Sequence, residues 1–399
     1  MSRVLVDSGI KWIGSLPSTW SITTVNKIFY RRKEVNDVEN PIVLSLARDG
    51  VKIRDISTNE GQLAESYDNY HKVYKDDLMI NPMDLISGAN CSLSEVEGVI
   101  SPAYINLAKK ENIYPKYYDY FFKYQYWINA MFIHGKGVSF DNRWTMNWET
   151  MSSYKLPFPN YNEQKNIANY LDKQCTKIDE IISDNNHEIE LLEEYKNNII
   201  LDKVCHGLDY SEFKIINIDS IDKIPVTWGL TRLKYYISIF NGKDCNKNSD
   251  SSKIPVYGSG GVFSYTDDYL YDGESLLLGR KGTIDKPIIV NGKFWTVDTM
   301  FYSIPKRECN LKYIYYFTKT LNWDKYIFGT ALPSMTQSIL NEIKIPFLSL
   351  DEQNKIVDYL DKQCAKLDCV IDCRKRIIEK LEEYKRSLIY ECVTGKREV

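Results

Sequence analysis

The sequence predicts an α/β (α+β) protein built twice, with two globular domains each followed by a long helix. The two helices are expected to pair as an antiparallel coiled coil and relate the halves by a pseudo-two-fold internal repeat. Three observations carry this prediction. A segment recurs 189 positions later, the recurring segments keep an apolar seam at coiled-coil spacing, and the stretches between them mix strand-like runs with turn residues.

The repeat is the strongest signal. Residues 162–171 read NEQKNIANYL and continue DKQCTKIDEII, while residues 351–360 read DEQNKIVDYL and continue DKQCAKLDCVI. The offset of 189 also maps Leu192-Glu-Glu-Tyr-Lys196 onto Leu381-Glu-Glu-Tyr-Lys385, Leu156-Pro-Phe158 onto Ile345-Pro-Phe347, and Met146 onto Met335. Upstream the offset drifts, as it must where loops differ in length. Lys116-Tyr-Tyr-Asp-Tyr-Phe121 matches Lys312-Tyr-Ile-Tyr-Tyr-Phe317, and Leu16-Pro-Ser-Thr-Trp20 matches Ile224-Pro-Val-Thr-Trp228. The expected organisation is a domain over 1–155, a spacer helix over 156–208, a second domain over 209–345 and a second spacer helix over 346–399. The spacers are alike in sequence and the domains between them are not.

In the first spacer, Leu171, Ile178, Asn185, Leu192 and Ile199 fall on heptad position a, with Ile167, Gln174, Ile181, Glu188 and Tyr195 on d. In the second, a takes Leu360, Leu367, Arg374, Leu381 and Leu388, and d takes Ile356, Gln363, Val370, Ile377 and Tyr384. Such a seam over four or more heptads makes a coiled coil, here a rod of about 42 residues and roughly 63 Å. Polar residues interrupt it at matching places, Gln174 with Gln363 and Asn185 with Arg374, where they either fix register or mark a looser mid-helix. One rod leads out of the first domain and the other must lead back, so pairing with each other is antiparallel.

Strand-like runs in the domains include residues 41–46, 78–82, 276–278 and 287–290, bounded by Gly, Asp and Asn turns. The aromatic runs 117–122 and 313–317 read as one packed helix per domain, and Trp20 and Trp228 as core anchors.

At 399 residues, 43% hydrophobic and 26% charged, the chain has a soluble globular balance, and no apolar run is long enough to span a bilayer. A cytoplasmic location and no membrane partner are expected. The net charge of −3 leaves nucleic-acid binding open, since phosphate affinity depends on local patches. Nine cysteines form no CxxC pair, and the Cys364, Cys369, Cys373 spacing fits no common metal-ligand pattern. No metal site, catalytic residue or cofactor is assigned to this chain. There is no GxxxxGK[ST] loop, HExxH pair or GxSxG elbow. Asn81-Pro82-Met83 resembles the start of the amino-methyltransferase Asn-Pro-Pro-aromatic motif, but the second proline and the aromatic are missing. Asp272, Glu274 and Lys281 form an acid–lysine set of a kind that is common by chance.

These features together resemble the specificity (S) subunits of type I restriction–modification systems. The carriers are Gly14-Ser-Leu-Pro-Ser-Thr-Trp20, the Pro-Phe-Pro-Asn-Tyr-Asn-Glu-Gln164 approach to the first rod, Pro255-Val-Tyr-Gly-Ser-Gly-Gly261, Leu278-Gly-Arg-Lys-Gly-Thr283 and Thr330-Ala-Leu-Pro-Ser-Met335. The first domain looks like another branch of target-recognition domain, with Leu44-Ser-Leu-Ala-Arg-Asp-Gly50, Ile80-Asn-Pro-Met83 and Val99-Ile-Ser-Pro-Ala-Tyr104. The resemblance spans essentially the whole chain. It implies a non-catalytic scaffold that binds double-stranded DNA and recruits two methyltransferase (modification) subunits and the restriction (motor/nuclease) subunits. N6-adenine methylation and ATP-dependent cleavage, with S-adenosylmethionine, ATP and Mg²⁺, would belong to those partners.

Two unlike heads on a spacer suit a bipartite, asymmetric target, with reading heads about a helical turn apart, near 34–36 Å. Base readout needs donors such as Arg on guanine and Asn or Gln on adenine. The candidates in the first head are Arg48, Lys52, Arg54, Lys136, Asn142 and Arg143; in the second they are Lys243, Lys247, Ser259, Arg280 and Lys281. The turn formed by Arg280, Lys281 and Gly282 is the foremost of them. Residues 162–205 carry five Lys against ten Asp or Glu, a face suited to protein rather than DNA. Two like partners need two like surfaces, so docking is assigned to Glu163, Gln164, Asp172 and Lys173 and to Glu352, Gln353, Asp361 and Lys362. The bland reading of these eight is helix capping and i,i+4 pairing. Two competing functions remain: a coiled-coil adaptor that binds no DNA, and a specificity subunit of another restriction or phage-defence system.

Overall fold

A computed structural model describes residues 3–57, 64–83, 85, 90–136, 145–218, 221–245, 253–306, 308–327 and 334–399. The chain divides into two compact units, one of Met1–Asp184 with Arg376–Val399 and the other of Asn185–Lys375. The division falls inside both long helices, Tyr161–His206 and Leu350–Val393.

In the first unit an antiparallel sheet runs in the order Phe29–Arg31, Ile105–Lys109, Leu78–Ile80, Cys91–Leu93. The helix Pro115–Trp127 packs with it; proline suits the first helical turn, where its missing N–H has no intrahelical partner anyway. Nine residues of this helix are buried, among them Tyr117, Tyr118, Phe121 and Phe122, as expected of a helix apolar nearly all round. The one acid among them, Asp119, is neutralised by Lys123 at 2.9 Å.

The second unit repeats this arrangement. Ile237–Asn241, Met300–Pro305, Ser275–Gly279 and Ile288–Val290 pair antiparallel in the same order. The helix Leu311–Lys319 follows, its N-terminus capped by the Asn310 side chain accepting from the amides of Lys312 and Tyr313. A further sheet, Gly261–Thr266, Ile254–Gly258, Lys293–Thr296 and Tyr271–Asp272, contains the parallel pairing of Val256 with Trp295. The contrast between unlike domains therefore lies in sequence, in loops and in the strands outside the central sheets. The central sheets share one topology, because an alternating apolar face fixes strand pairing whichever apolar residues supply it.

Each head is closed by a strand just before the long helix. Ser21–Thr24 pairs with Lys155–Phe158, and Gly229–Arg232 pairs with Lys344–Phe347. The expected boundaries at 155/156 and 345/346 thus cut through strands, and the helices begin at Tyr161 and Leu350. Both end against the tryptophan that anchors their unit. Gly207 and Gly395 have φ of +76° and +70°, and a Cβ there would lie 3.1 Å from Trp228 and 2.8 Å from Trp20 respectively. Only glycine meets both demands.

The seam of the coiled coil differs from the expected one. Leu171, Ile178 and Asn185 are buried, as is Ile167 from the residues assigned to d, but beyond Ile167 the flank is completed by Ala168, Cys175 and Ile189. Ile181 and Tyr195 are exposed, as are Val370, Ile377 and Tyr384 on the second helix, where Val357, Cys364 and Ile371 are buried instead. Of the residues assigned to a, Leu171, Ile178, Asn185, Leu360 and Leu388 are buried and Leu192, Ile199, Leu367, Arg374 and Leu381 half-buried; apart from Ile167 and Ile356, the flanking stripe is the one four residues on rather than three. Within the second unit the pairing is antiparallel: Lys196 meets Asp368, while Arg374 donates to Asn185 Oδ1 at 3.1 Å and pairs with Glu188 at 2.7 Å. The polar seam residues Asn185 and Arg374 are thus each other's partners. Within the first unit Lys385 pairs with both oxygens of Asp179 at 2.6 Å, the equivalent of the Lys196–Asp368 pair one repeat away.

Candidate nucleic-acid interface

The foremost candidate in the second head is a basic turn whose backbone is held from both sides. The amides of Arg280 and Lys281 donate to the Thr299 carbonyl at 2.9 and 3.3 Å, and the Arg280 carbonyl accepts from Met335 N–H at 2.8 Å. The strand ending at Gly279 folds back so tightly that a Cβ there would meet the Thr283 carbonyl at 2.3 Å. Side chains are held as well. Arg280 Nη1 donates to the Asp298 carbonyl at 3.2 Å, and Lys281 Nζ lies 3.1 Å from Asp298 Oδ2. Ser259 joins them, since a Cβ on Gly282 would lie 3.2 Å from its Oγ. Lys243 is fixed to the neighbouring strand, its amide donating to Thr296 O at 2.8 Å and its carbonyl accepting from Trp295 Nε1 at 2.7 Å, while its side chain is exposed. Lys243, Arg280 and Lys281 are therefore bonded to the segment 296–299, and Ser259 lies against Gly282 of the same turn. Lys247 lies outside the described residues.

Beside this turn is a cleft of about 310 Å³ lined in part by Asn241, Arg280, Thr336 and Gln337. Asn241, Asp298 and Gln337 were not anticipated; the adjoining Asn241-Gly242 pair was a turn signal that could have drawn attention to the first.

In the first head Arg48 and Asp49 form the two-residue turn between Leu44–Ala47 and Gly50–Ile53. Arg48 is exposed, Lys52 pairs with Asp49, and the Arg54 amide is tied to Val43 O at 2.8 Å. Lys136 is exposed and exchanges backbone hydrogen bonds with Thr145 at 2.8 and 3.1 Å. Asn142 and Arg143, between them, lie outside the described residues.

The residues assigned to partner docking form a joint between head and helix, made in the same way in each unit. Glu163 accepts from Trp20 Nε1 at 3.1 Å and Arg3 at 2.6 Å; Glu352 accepts from Trp228 Nε1 at 3.2 Å and from Tyr210. Gln164 accepts from Tyr114 N–H and donates to Pro159 O, both at 2.9 Å; Gln353 accepts from Asn310 N–H at 2.9 Å and donates to Leu348 O at 3.2 Å. With exposures of 0% and 2%, Gln164 and Gln353 have no surface to offer a partner, and the expectation is corrected for these two. Asp172 accepts from Tyr120 OH at 2.7 Å and Asp361 from Tyr316 OH at 2.7 Å. Burial, reinforced by these bonds, pushes both phenol hydroxyls far above their usual range, so they remain donors. Lys173 and Lys362 are exposed.

The resembling catalytic fragments have other uses. Asn81 Oδ1 caps the Met83 amide at 3.0 Å, and Lys281 faces Asp298. Among the described residues no group of three His, Cys, Asp or Glu is placed to hold a metal ion, and no helix is long and apolar enough to cross a membrane.

Comparison with known proteins gives a consistent result. Residues 225–383 match the family model for the type I restriction modification DNA specificity domain. The MjaVIII type I restriction enzyme specificity subunit of Methanocaldococcus jannaschii is 24% identical over 82% of this chain and 81% of its own length. A specificity subunit assigned to a type I restriction enzyme of Haemophilus influenzae is 28% identical over 29% of this chain and 31% of its own. Among solved structures, a chain from a type I restriction–modification assembly superposes with a TM-score of 0.72 at 11% identity, covering 95% of this chain and 98% of that one. The HsdS subunit of Thermoanaerobacter tengcongensis gives 0.51 at 14% identity, covering 96% and 98%. These two likenesses concern the fold.

Proposed function

Because this chain belongs to the family of type I restriction enzyme specificity subunits, we propose that it reads a two-part, asymmetric DNA target, one half-site with each head, and presents it to modification and restriction subunits. The observation that carries this reading is the pair of heads, alike in central topology and in their joints to the long helices, yet different in the loops they display. A shared frame with unlike loops suits two unlike half-sites. The turn at Arg280 and Lys281 supplies donors on a backbone fixed before DNA arrives, so less ordering is needed on binding. The hairpin carrying Arg48 and the exposed Lys136 serve the first half-site, with some basic residues holding phosphates rather than reading bases.

The partners fit the stripe left bare on the helices. Leu191 and Tyr195 on the first helix, and Val370, Ile377 and Tyr384 on the second, expose apolar surface. Like stripes on two like helices suit two copies of one methyltransferase subunit, with Lys173 and Lys362 at their borders. Methyl transfer and ATP-driven cleavage belong to those partners, together with S-adenosylmethionine, ATP and Mg²⁺. A DNA-independent adaptor is disfavoured by the family match over the second head.

The test is DNA binding by the chain with its methyltransferase subunit, measured by fluorescence anisotropy over a range of salt. Sequence-selective binding whose log affinity falls linearly with log salt is expected. Equal affinity for all duplexes would overturn the reading.

A further inference from the structure

Resting on the reading of the second head as a DNA reader, we propose that the cleft beside Arg280 recognises one G·C base pair, with Arg280 on guanine and Gln337 Oε1 accepting from the cytosine amine. The hydrogen-bonding atoms that remain after the protein's own bonds are made define what the cleft can recognise. Gln337 donates through Nε2 to Ile239 O at 2.5 Å. That bond takes one of the two amide hydrogens and orients the group, leaving Oε1 and the second hydrogen. The oxygen can accept from an exocyclic amine. Arg280 engages the Asp298 carbonyl through Nη1 and lies over the Phe301 ring at 5.8 Å, which keeps the guanidinium at the cleft. A guanidinium has five N–H donors, so others remain for a base.

Thr336, which also lines the cleft, is occupied with local structure: its hydroxyl caps the Ile339 amide at 3.4 Å and lies 3.0 Å from Ser338 Oγ. Beside Asn241, the cleft therefore presents donors from Arg280 and an acceptor from Gln337. In the major groove a G·C pair offers the complement, acceptors at guanine O6 and N7 and a donor at cytosine N4. An A·T pair places an acceptor at thymine O4 where Gln337 would present its own oxygen. Two acceptors face each other there, and the pair is rejected.

The experiment is selection from duplexes randomised across the target, using the complex of the full chain with its methyltransferase subunit. The wild type is expected to select a motif with an invariant G·C pair in the half-site read by the second head. Gln337→Ala and Arg280→Ala should each reduce discrimination at that same pair by about tenfold or more, leaving the other half-site unchanged. Gln337→Glu keeps an acceptor and should retain the preference for cytosine, and thermal melting of each variant checks that the head is folded. If Arg280→Ala and Gln337→Ala relax different base pairs, or Gln337→Ala relaxes none, the assignment is overturned. A wild-type complex that selects no motif would overturn the underlying reading and this assignment together.

Discussion

Replacing Gln164 by alanine separates the structural role of the head–helix joint from a role in partner docking. The side chain is fully buried and bonds two main-chain groups, accepting from Tyr114 N–H and donating to Pro159 O. Its removal leaves one donor and one acceptor without their partner at the base of the head helix. A buried polar group left unsatisfied costs about 1–3 kcal/mol, so the pair amounts to about 2–6 kcal/mol. At about 2–4 °C per kcal/mol for a unit of this size, the first unit's transition should fall by roughly 5–20 °C. Gln164→Met fills the space without restoring either bond and should fall nearly as far. Lys173→Ala, two turns along the same helix and exposed, should stay within about 0.5 kcal/mol of the wild type. Calorimetry follows the transition, and hydrogen exchange over residues 114–127 localises the loss. Gln353→Ala should act the same way on residues 310–319, where Asn310 N–H and Leu348 O lose their partner. A Gln164→Ala protein that melts with the wild type but no longer binds the methyltransferase subunit would refute the structural role and restore the docking one.

Three further outcomes follow from the same geometry. Asp298→Asn removes the carboxylate facing Lys281 and should let that lysine engage phosphate, steepening the salt dependence of DNA binding by about 0.9 in log–log slope; an unchanged slope argues against Lys281 lying on the DNA-facing surface. Tyr195→Ala combined with Tyr384→Ala should weaken methyltransferase binding by about tenfold or more at unchanged melting temperature, as titration calorimetry would read; unaltered affinity would move docking off the bare stripe. Burial pushes the Cys205 and Cys392 thiols up to about 12, so at pH 8 they stay protonated and unreactive, and iodoacetamide should label exposed Cys369 and Cys373 first by peptide mass mapping. Early labelling of Cys205 or Cys392 would show that the helix ends open in solution.

The sequence revealed the repeat, the two long helices and the packed aromatic helix of each head, because each is written in a strong local pattern. It misplaced the seam for a definite reason. Ile181, Tyr195, Val370, Ile377 and Tyr384 make the flank three residues from the central stripe as apolar as the flank four residues away, which carries Cys175, Ile189, Cys364 and Ile371. A seam wide enough for two partners does not say which side meets the other helix of the same chain. The docking residues show a second limit. Charged and amide side chains recurring in both spacers look like a repeated surface, but Gln164 and Gln353 recur because each repeat must satisfy the same two buried backbone groups. At the basic turn, Arg280 and Lys281 could be found from a glycine-flanked basic pair. Gln337 could not, since it reaches the cleft across a distance in sequence that only the fold closes.

This chain is proposed to choose the DNA sequence that a methyltransferase subunit modifies. Single-molecule methylome sequencing of a methylation-free host, expressing the cognate methyltransferase subunit with and without this chain, tests it most directly. A gapped, asymmetric, adenine-methylated motif that appears only when this chain is present is the predicted result. No new motif, despite a stable complex of the two proteins, would contradict the claim and make the coiled-coil adaptor the better account.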